Sequence, residues 1–122
     1  MAKILVIEDE DDILNLIKII LNMEGYLTIL AKDGEEGINA LKNNKDISLI
    51  ILDIKMPNMD GWEFLKTIKN NNDWKNIPII VLTAYTQVSD IEKARKMGID
   101  SYIAKPFSRE NLIKEVKKVL SS

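Results

Sequence analysis

Five short apolar runs punctuate the chain: Ile4–Ile7, Leu27–Leu30 with Thr28 inside it, Leu49–Leu52, Ile79–Leu82 and Tyr102–Ala104. Each has strand length, and each is followed by a segment whose apolar residues recur at helical spacing. The first such segment runs from Asp11 to Met23 and puts Ile13, Ile17, Ile20 and Leu21 on one face. Helix starts are marked by an acid or serine followed three residues later by glutamate: Asp33 with Glu36, Asp60 with Glu63, and Ser89 with Glu92. These have the spacing of a capping box. Gly98 is placed to close the fourth helix in a left-handed conformation. Ser108 opens the fifth, which carries Leu112, Val116, Val119 and Leu120 inward.

Alternation of strand and helix predicts a parallel sheet covered on both faces, because parallel strands need long crossovers and the crossovers lie over the sheet. The run Leu49–Leu52 and the stretch Leu5–Ile7 are wholly apolar, as central strands are, whereas Thr28, Ser101 and Tyr102 mark the second and fifth runs as edges. The pattern fits an α/β, doubly wound, five-stranded parallel sheet of order 2-1-3-4-5 with five helices, as in flavodoxin. Residues 1–122 read as one domain, and the most loop-like stretch, Asn70–Asp73, falls between the third helix and the fourth strand.

Composition narrows the chemistry. A chain of 122 residues, 46% hydrophobic and 30% charged, can bury a core without staples. It has no cysteine and no histidine, which excludes disulfides, thiolate metal sites, a thiol nucleophile and an imidazole base. The net charge of −2 gives no ground for direct nucleic-acid binding. Lys114, Lys117 and Lys118 complement the C-terminal end of the last helix. The apolar start is too short for a signal peptide or a membrane span, so a cytoplasmic location without membrane contact is expected.

In a parallel sheet all strand C-termini share one rim, where ligands bind beside the point at which strand order reverses. Glu8 and Asp9, Asp53, Thr83 and Lys105 are expected just beyond the first, third, fourth and fifth strands. Three carboxylates in one crevice repel one another unless a cation intervenes. Hard oxygen ligands favour Mg²⁺, which takes one or two carboxylates together with water and phosphate oxygens. Thr83 can donate to a phosphoryl oxygen and Lys105 can neutralise another. Singly, each residue has a plainer explanation: a solvated acidic helix start, a turn cap, a strand-end threonine, a surface lysine. Complementary chemistry at four separate strand ends makes the combination point to phosphoryl transfer onto a carboxylate.

The stretches ILVIEDE, ILDIKMPNMDGWEF, IIVLTAY and GIDSYIAKPF resemble the receiver domain of two-component response regulators across essentially the whole chain. The strand order is itself that family's, so the two readings share that ground. The resemblance implies that Asp53 is the phosphoacceptor, that Asp9 binds Mg²⁺ directly and Glu8 through water, and that the backbone carbonyl of Lys55 completes the metal site. Thr83 and Lys105 correspond to the phosphate-sensing hydroxyl and amine, Tyr102 to the aromatic whose rotamer follows Thr83, and Pro106 to a proline after a cis bond. Lys55 and Tyr85 would flank the path of attacking water and tune phosphate lifetime.

The implied partners are a sensor histidine kinase or phosphotransfer protein, and an output protein that reads the face made by the fourth helix, fifth strand and fifth helix. A phosphorylation-dependent dimer through that face is a further expectation. Two other classes compete. A Mg²⁺-dependent phosphohydrolase with an aspartyl nucleophile usually carries a second acid two residues on, where this chain has Lys55. A receiver-fold interaction module that is never phosphorylated typically lacks one of the key side chains, all of which are present here.

Overall fold

A computed structural model describes residues 2–54, 60–84 and 88–121. The elements alternate: β1 (Lys3–Ile7), α1 (Asp11–Met23), β2 (Leu27–Ala31), α2 (Gly34–Asn43), β3 (Leu49–Asp53), α3 (Gly61–Lys69), β4 (Ile79–Ala84), α4 (Val88–Lys96), β5 (Ser101–Lys105) and α5 (Arg109–Leu120). All strand pairs are parallel, in one sheet of order β2-β1-β3-β4-β5. The apolar central strands are buried as their composition requires: every residue of β3 and all of β1 after Lys3. The edges are not; Leu27 is exposed on β2 and only Ile103 is buried on β5.

Register sorts the side chains onto two faces. Ile7, Leu52, Val81 and Tyr102 are paired across the sheet and share one face. There Leu41, Phe64, Leu65, Ile68 and Ala94 of α2, α3 and α4 complete a core. Val6, Ile51 and Ile80 occupy the other face, with Leu82 and Ile103, against Leu14, Ile17 and Leu21 of α1 and Leu112 and Val116 of α5. Trp62 and Trp74 are partly buried against the first core, as packing residues are.

The helix starts follow from side-chain capping. Asp33 accepts from the Glu36 N–H at 2.9 Å, Asp60 from the Glu63 N–H at 2.9 Å, and Ser108 from the Asn111 N–H at 3.0 Å. Each such cap is worth about 1 kcal/mol. Glu36 also accepts from the Lys32 N–H at 3.0 Å. Gly98 ends the α4 segment with φ +92°, a left-handed conformation that suits glycine.

Three local expectations are corrected. Ser89 is not a cap, because α4 already runs from Val88; a serine and glutamate three apart also occur as neighbours within a first turn. On α1 the fourth buried residue is Leu14, and Ile13 is only partly buried. Pairing also outlasts the apolar runs: Asp53, Thr83 and Lys105 are strand residues, in register with Leu82, Ala104 and Ala84.

The C-terminal rim is set by a close approach at Gly61. Its N–H donates to the Ile54 carbonyl at 2.8 Å, and a Cβ at this position would lie 2.4 Å from the Ile54 Cα. Backbone cannot yield as a side chain can, so Gly61→Ala is expected to cost about 2–3 kcal/mol. Gly37 faces only the ends of the Ile7 and Phe64 side chains. Gly37→Ala therefore costs less, and urea unfolding midpoints of the two variants would show the order; equal midpoints would contradict the account.

Candidate functional site

Strand alternation puts Glu8, Asp53 and Lys105 on the same face as Val6, Ile51 and Ile103, one step beyond the apolar core. Glu8 is held there by its own backbone, whose N–H donates to the Ala31 carbonyl at 3.0 Å. Its side chain is fully buried, Asp53 is 6% exposed and Thr83 is 3% exposed. One carboxylate oxygen from each of Glu8, Asp9 and Asp53 lies within 4.8 Å of the others. Acids from β1 and β3 thus converge as their place on the rim predicts.

Lys105 reaches over the end of β4 into this cluster. Its ammonium lies 2.6 Å from Glu8 Oε1 and donates to Asp53 Oδ2 at 3.1 Å. The Glu8 contact is an ion pair without hydrogen-bond alignment, while Glu8 Oε2 accepts from the Glu10 N–H at 3.0 Å. Burial pushes the Glu8 carboxyl up to about 7; Lys105 and the Glu10 N–H oppose that rise, and the charge of Asp53 adds to it. For Lys105, burial works against the charged form, but the close Glu8 carboxylate and the charge of Asp53 prevail and hold the amine above the ordinary lysine range.

Thr83 is next to last on the neighbouring strand, paired with Ala104, which places it at the same rim. Tyr102 lies on β5, 36% exposed as a residue, with the Arg95 guanidinium 5.3 Å from the ring centroid. The Lys105–Pro106 peptide bond is cis. Lys55 and Tyr85 lie outside the described residues. Glu8, Asp9, Asp53, Thr83 and Lys105 are therefore gathered at the rim, and Tyr102 stands apart from them on the edge strand.

Two features escaped sequence reasoning. Lys105 lies at the rim, as expected, and in addition spans two carboxylates there; the excess of acid over base at the rim was the available signal. Arg95 was not singled out at all. Its place seven residues before Tyr102, across the reversal at Gly98, was the only hint.

This fold and rim define a class: a doubly wound α/β domain with a lysine-bridged acidic crevice at the switch point of its sheet. The sequence model of the response regulator receiver domain matches residues 4–117, and the chain belongs to that family of two-component signalling domains. It is 36% identical over 121 residues to the response regulator SaeR of Staphylococcus aureus, covering 99% of this chain and 51% of that protein. The chain thus spans about half the length of the curated relatives it matches. Chemotaxis protein CheY4 of Vibrio cholerae is similar in structure, with TM-score 0.91, 31% identity and 98% of each chain covered. So is NtrX of Brucella abortus, with TM-score 0.92 and 30% identity over 99% of this chain and 27% of that one. Among the described residues no helix is long and apolar enough to cross a membrane.

Above pH 7, where the Glu8 carboxyl is ionised, removing the ammonium would leave its buried charge unpaired. Lys105→Met is expected to lower stability by about 3 kcal/mol, and adding Glu8→Gln to return most of that loss. Urea unfolding in chelated buffer reads both; a double variant no more stable than the single one would contradict the ion-bridge account.

Proposed function

We propose that this chain is a phosphoacceptor switch that takes a phosphoryl group from a phosphohistidine onto Asp53. The observation that carries the reading is the convergence of Glu8, Asp9 and Asp53 within 4.8 Å of one another, bridged by Lys105. A carboxylate oxygen of Asp53 attacks phosphorus, a P–O bond forms as the P–N bond to the donor imidazole breaks, and an acyl phosphate results. Lys105 moves from carboxylate to phosphoryl oxygen, neutralising charge that the transfer brings in. The Thr83 hydroxyl donates to another phosphoryl oxygen.

The donor set suits Mg²⁺: three carboxylates, all hard oxygens, in one small crevice. Asp9 and Asp53 would hold it directly, Glu8 through water, and the Lys55 carbonyl would complete the set. When bound, the ion supplies positive charge beside the phosphoryl oxygens. Glu8 and Asp9 position it, and Glu8, buried and tied to the Glu10 N–H, is the fixed member.

The readout is local. Thr83 drawn toward the phosphoryl group opens space into which Tyr102 turns, and the α4–β5–α5 face changes for an output protein or a second copy. The phosphodonor is a sensor histidine kinase or phosphotransfer protein, and the setting is the cytoplasm, where ATP is available. Direct binding of nucleic acid by this domain forms no part of the reading. Lys55 and Tyr85 set phosphate lifetime by obstructing attacking water.

Acetyl phosphate with Mg²⁺ is expected to add a single phosphoryl group by mass to the native chain. Asp53→Asn should take none, and chelation should stop the reaction. An Asp53→Asn variant labelled as readily as the native chain would overturn the assignment. Sustained turnover of p-nitrophenyl phosphate would instead favour a phosphohydrolase. In the same assay Tyr85→Ala should shorten the life of the phosphorylated form several-fold; an unchanged decay rate would remove Tyr85 from that role.

A further inference from the structure

We propose that Arg95 is a positioning residue for Tyr102: its guanidinium, stacked over the phenol ring, holds the ring outward and couples the seat of α4 to the state of the rim. This inference rests on the reading above, in which Tyr102 turns toward Thr83. The Arg95 Cζ lies 5.3 Å from the ring centroid, inside the range in which a cation is attracted by an aromatic face. Both side chains line an open hollow of about 630 Å³ between α4, β5 and α5. The carboxylates beside them are engaged with other partners. Asp100 accepts from the Ile79 N–H at 2.9 Å, and Glu115 accepts from the Ser101 hydroxyl and pairs with Lys118.

The register supplies a path for the ring. Val81 pairs with Tyr102 and Thr83 with Ala104, so Tyr102 and Thr83 lie diagonally on one face of adjacent strands. Along β5 only the methyl group of Ala104 stands between the ring and the rim. An aromatic side chain that leaves its outward position can therefore move over Ala104 toward Thr83, and doing so removes it from Arg95.

The helix that bears Arg95 is lightly seated. Among its described side chains only Ile91 and Ala94 are buried. On its other flank Lys93 lies 4.3 Å from the centroid of the Trp62 ring of α3. Two cation–ring contacts, one to α3 and one to β5, thus tether α4. Turning Tyr102 inward releases one of them and leaves the other, so α4 becomes free to shift on the β5 side. Linkage makes the effect reciprocal: whatever weakens Arg95's hold favours the inward ring.

The test uses the full chain labelled with 3-fluorotyrosine and read by ¹⁹F NMR, with Tyr102→Phe identifying the resonance. Arg95→Gln is expected to raise the inward population of the unphosphorylated protein about two- to five-fold, the shift an exposed cation–ring contact supports. Phosphorylation of Asp53 by acetyl phosphate should accelerate by a similar factor, and Arg95→Lys should restore the native behaviour in part. A Tyr102 resonance that responds to phosphorylation in the native chain, but is unmoved by Arg95→Gln, would overturn the Arg95 role and leave the switch standing. A resonance that ignores phosphorylation in a chain shown by mass to be modified would overturn the Tyr102 switch, and the Arg95 role with it.

Discussion

The ammonium of Lys105 lies between two buried carboxylates at the ends of neighbouring strands, β1 and β3, and its own strand is three steps from β1 in the sheet. Neighbouring strands are about 4.8 Å apart, so only a long side chain from β5 can cross the end of β4 and serve both β3 and β1. An acid as buried as Glu8 is tolerable only if it is paired or protonated. Both routes are visible here, in the ion pair and in a carboxyl raised to about 7 by burial. The arrangement also explains why the rim is built where it is. Parallel strands deliver their C-terminal ends to one edge of the molecule, so acids that would be harmless on separate loops are forced together.

The rest of the molecule makes that edge rigid on one side and yielding on the other. β1 and β3, at whose C-terminal ends the acids lie, are buried on both faces. α1 is seated by Leu14, Ile17, Ile20 and Leu21, and α3 by Phe64, Leu65 and Ile68. Each fully buried side chain of this size contributes about 1.5–3 kcal/mol, so these elements do not move without loss. α4 has much less to lose, and the edge strand beside it keeps a large aromatic ring at the surface. In the proposed switch, rearrangement driven from the rim falls on α4, among whose described side chains only Ile91 and Ala94 are buried.

Most of this was legible in the sequence, for definable reasons. The sheet order could be read because central strands must be apolar on both faces and edges need not be, and Thr28, Ser101 and Tyr102 fell where edges lie. Asp33, Asp60 and Ser108 could be read as caps because capping depends on residues only three apart. The acids could be assigned to one crevice because topology alone fixes which strand ends are neighbours. What could not be read depends on side-chain conformation or on backbone approach. The spacing of Ser89 and Glu92 was compatible with a cap or with a first turn, and only the backbone separates them. The reach of Lys105 to Glu8, the closeness of Gly61 to Ile54, and the stacking of Arg95 on Tyr102 are all contacts between segments whose separation in sequence says nothing about distance.

The two kinds of cation in the molecule differ in strength as their settings require. Lys105 is mostly buried between acids, where removing one partner of an ion pair costs several kcal/mol. Arg95 lies at the surface over a ring, where such a contact contributes about 0.5–1 kcal/mol. The proposed switch needs that inequality. In it, the strong ion pair keeps the rim assembled until incoming charge at Asp53 draws Lys105 away. The contact that holds the reporting ring must be weak enough that a change of a few kcal/mol at the rim outweighs it. A stronger hold on Tyr102, such as a buried ion pair to its hydroxyl, would keep the edge strand fixed whatever happened at Asp53.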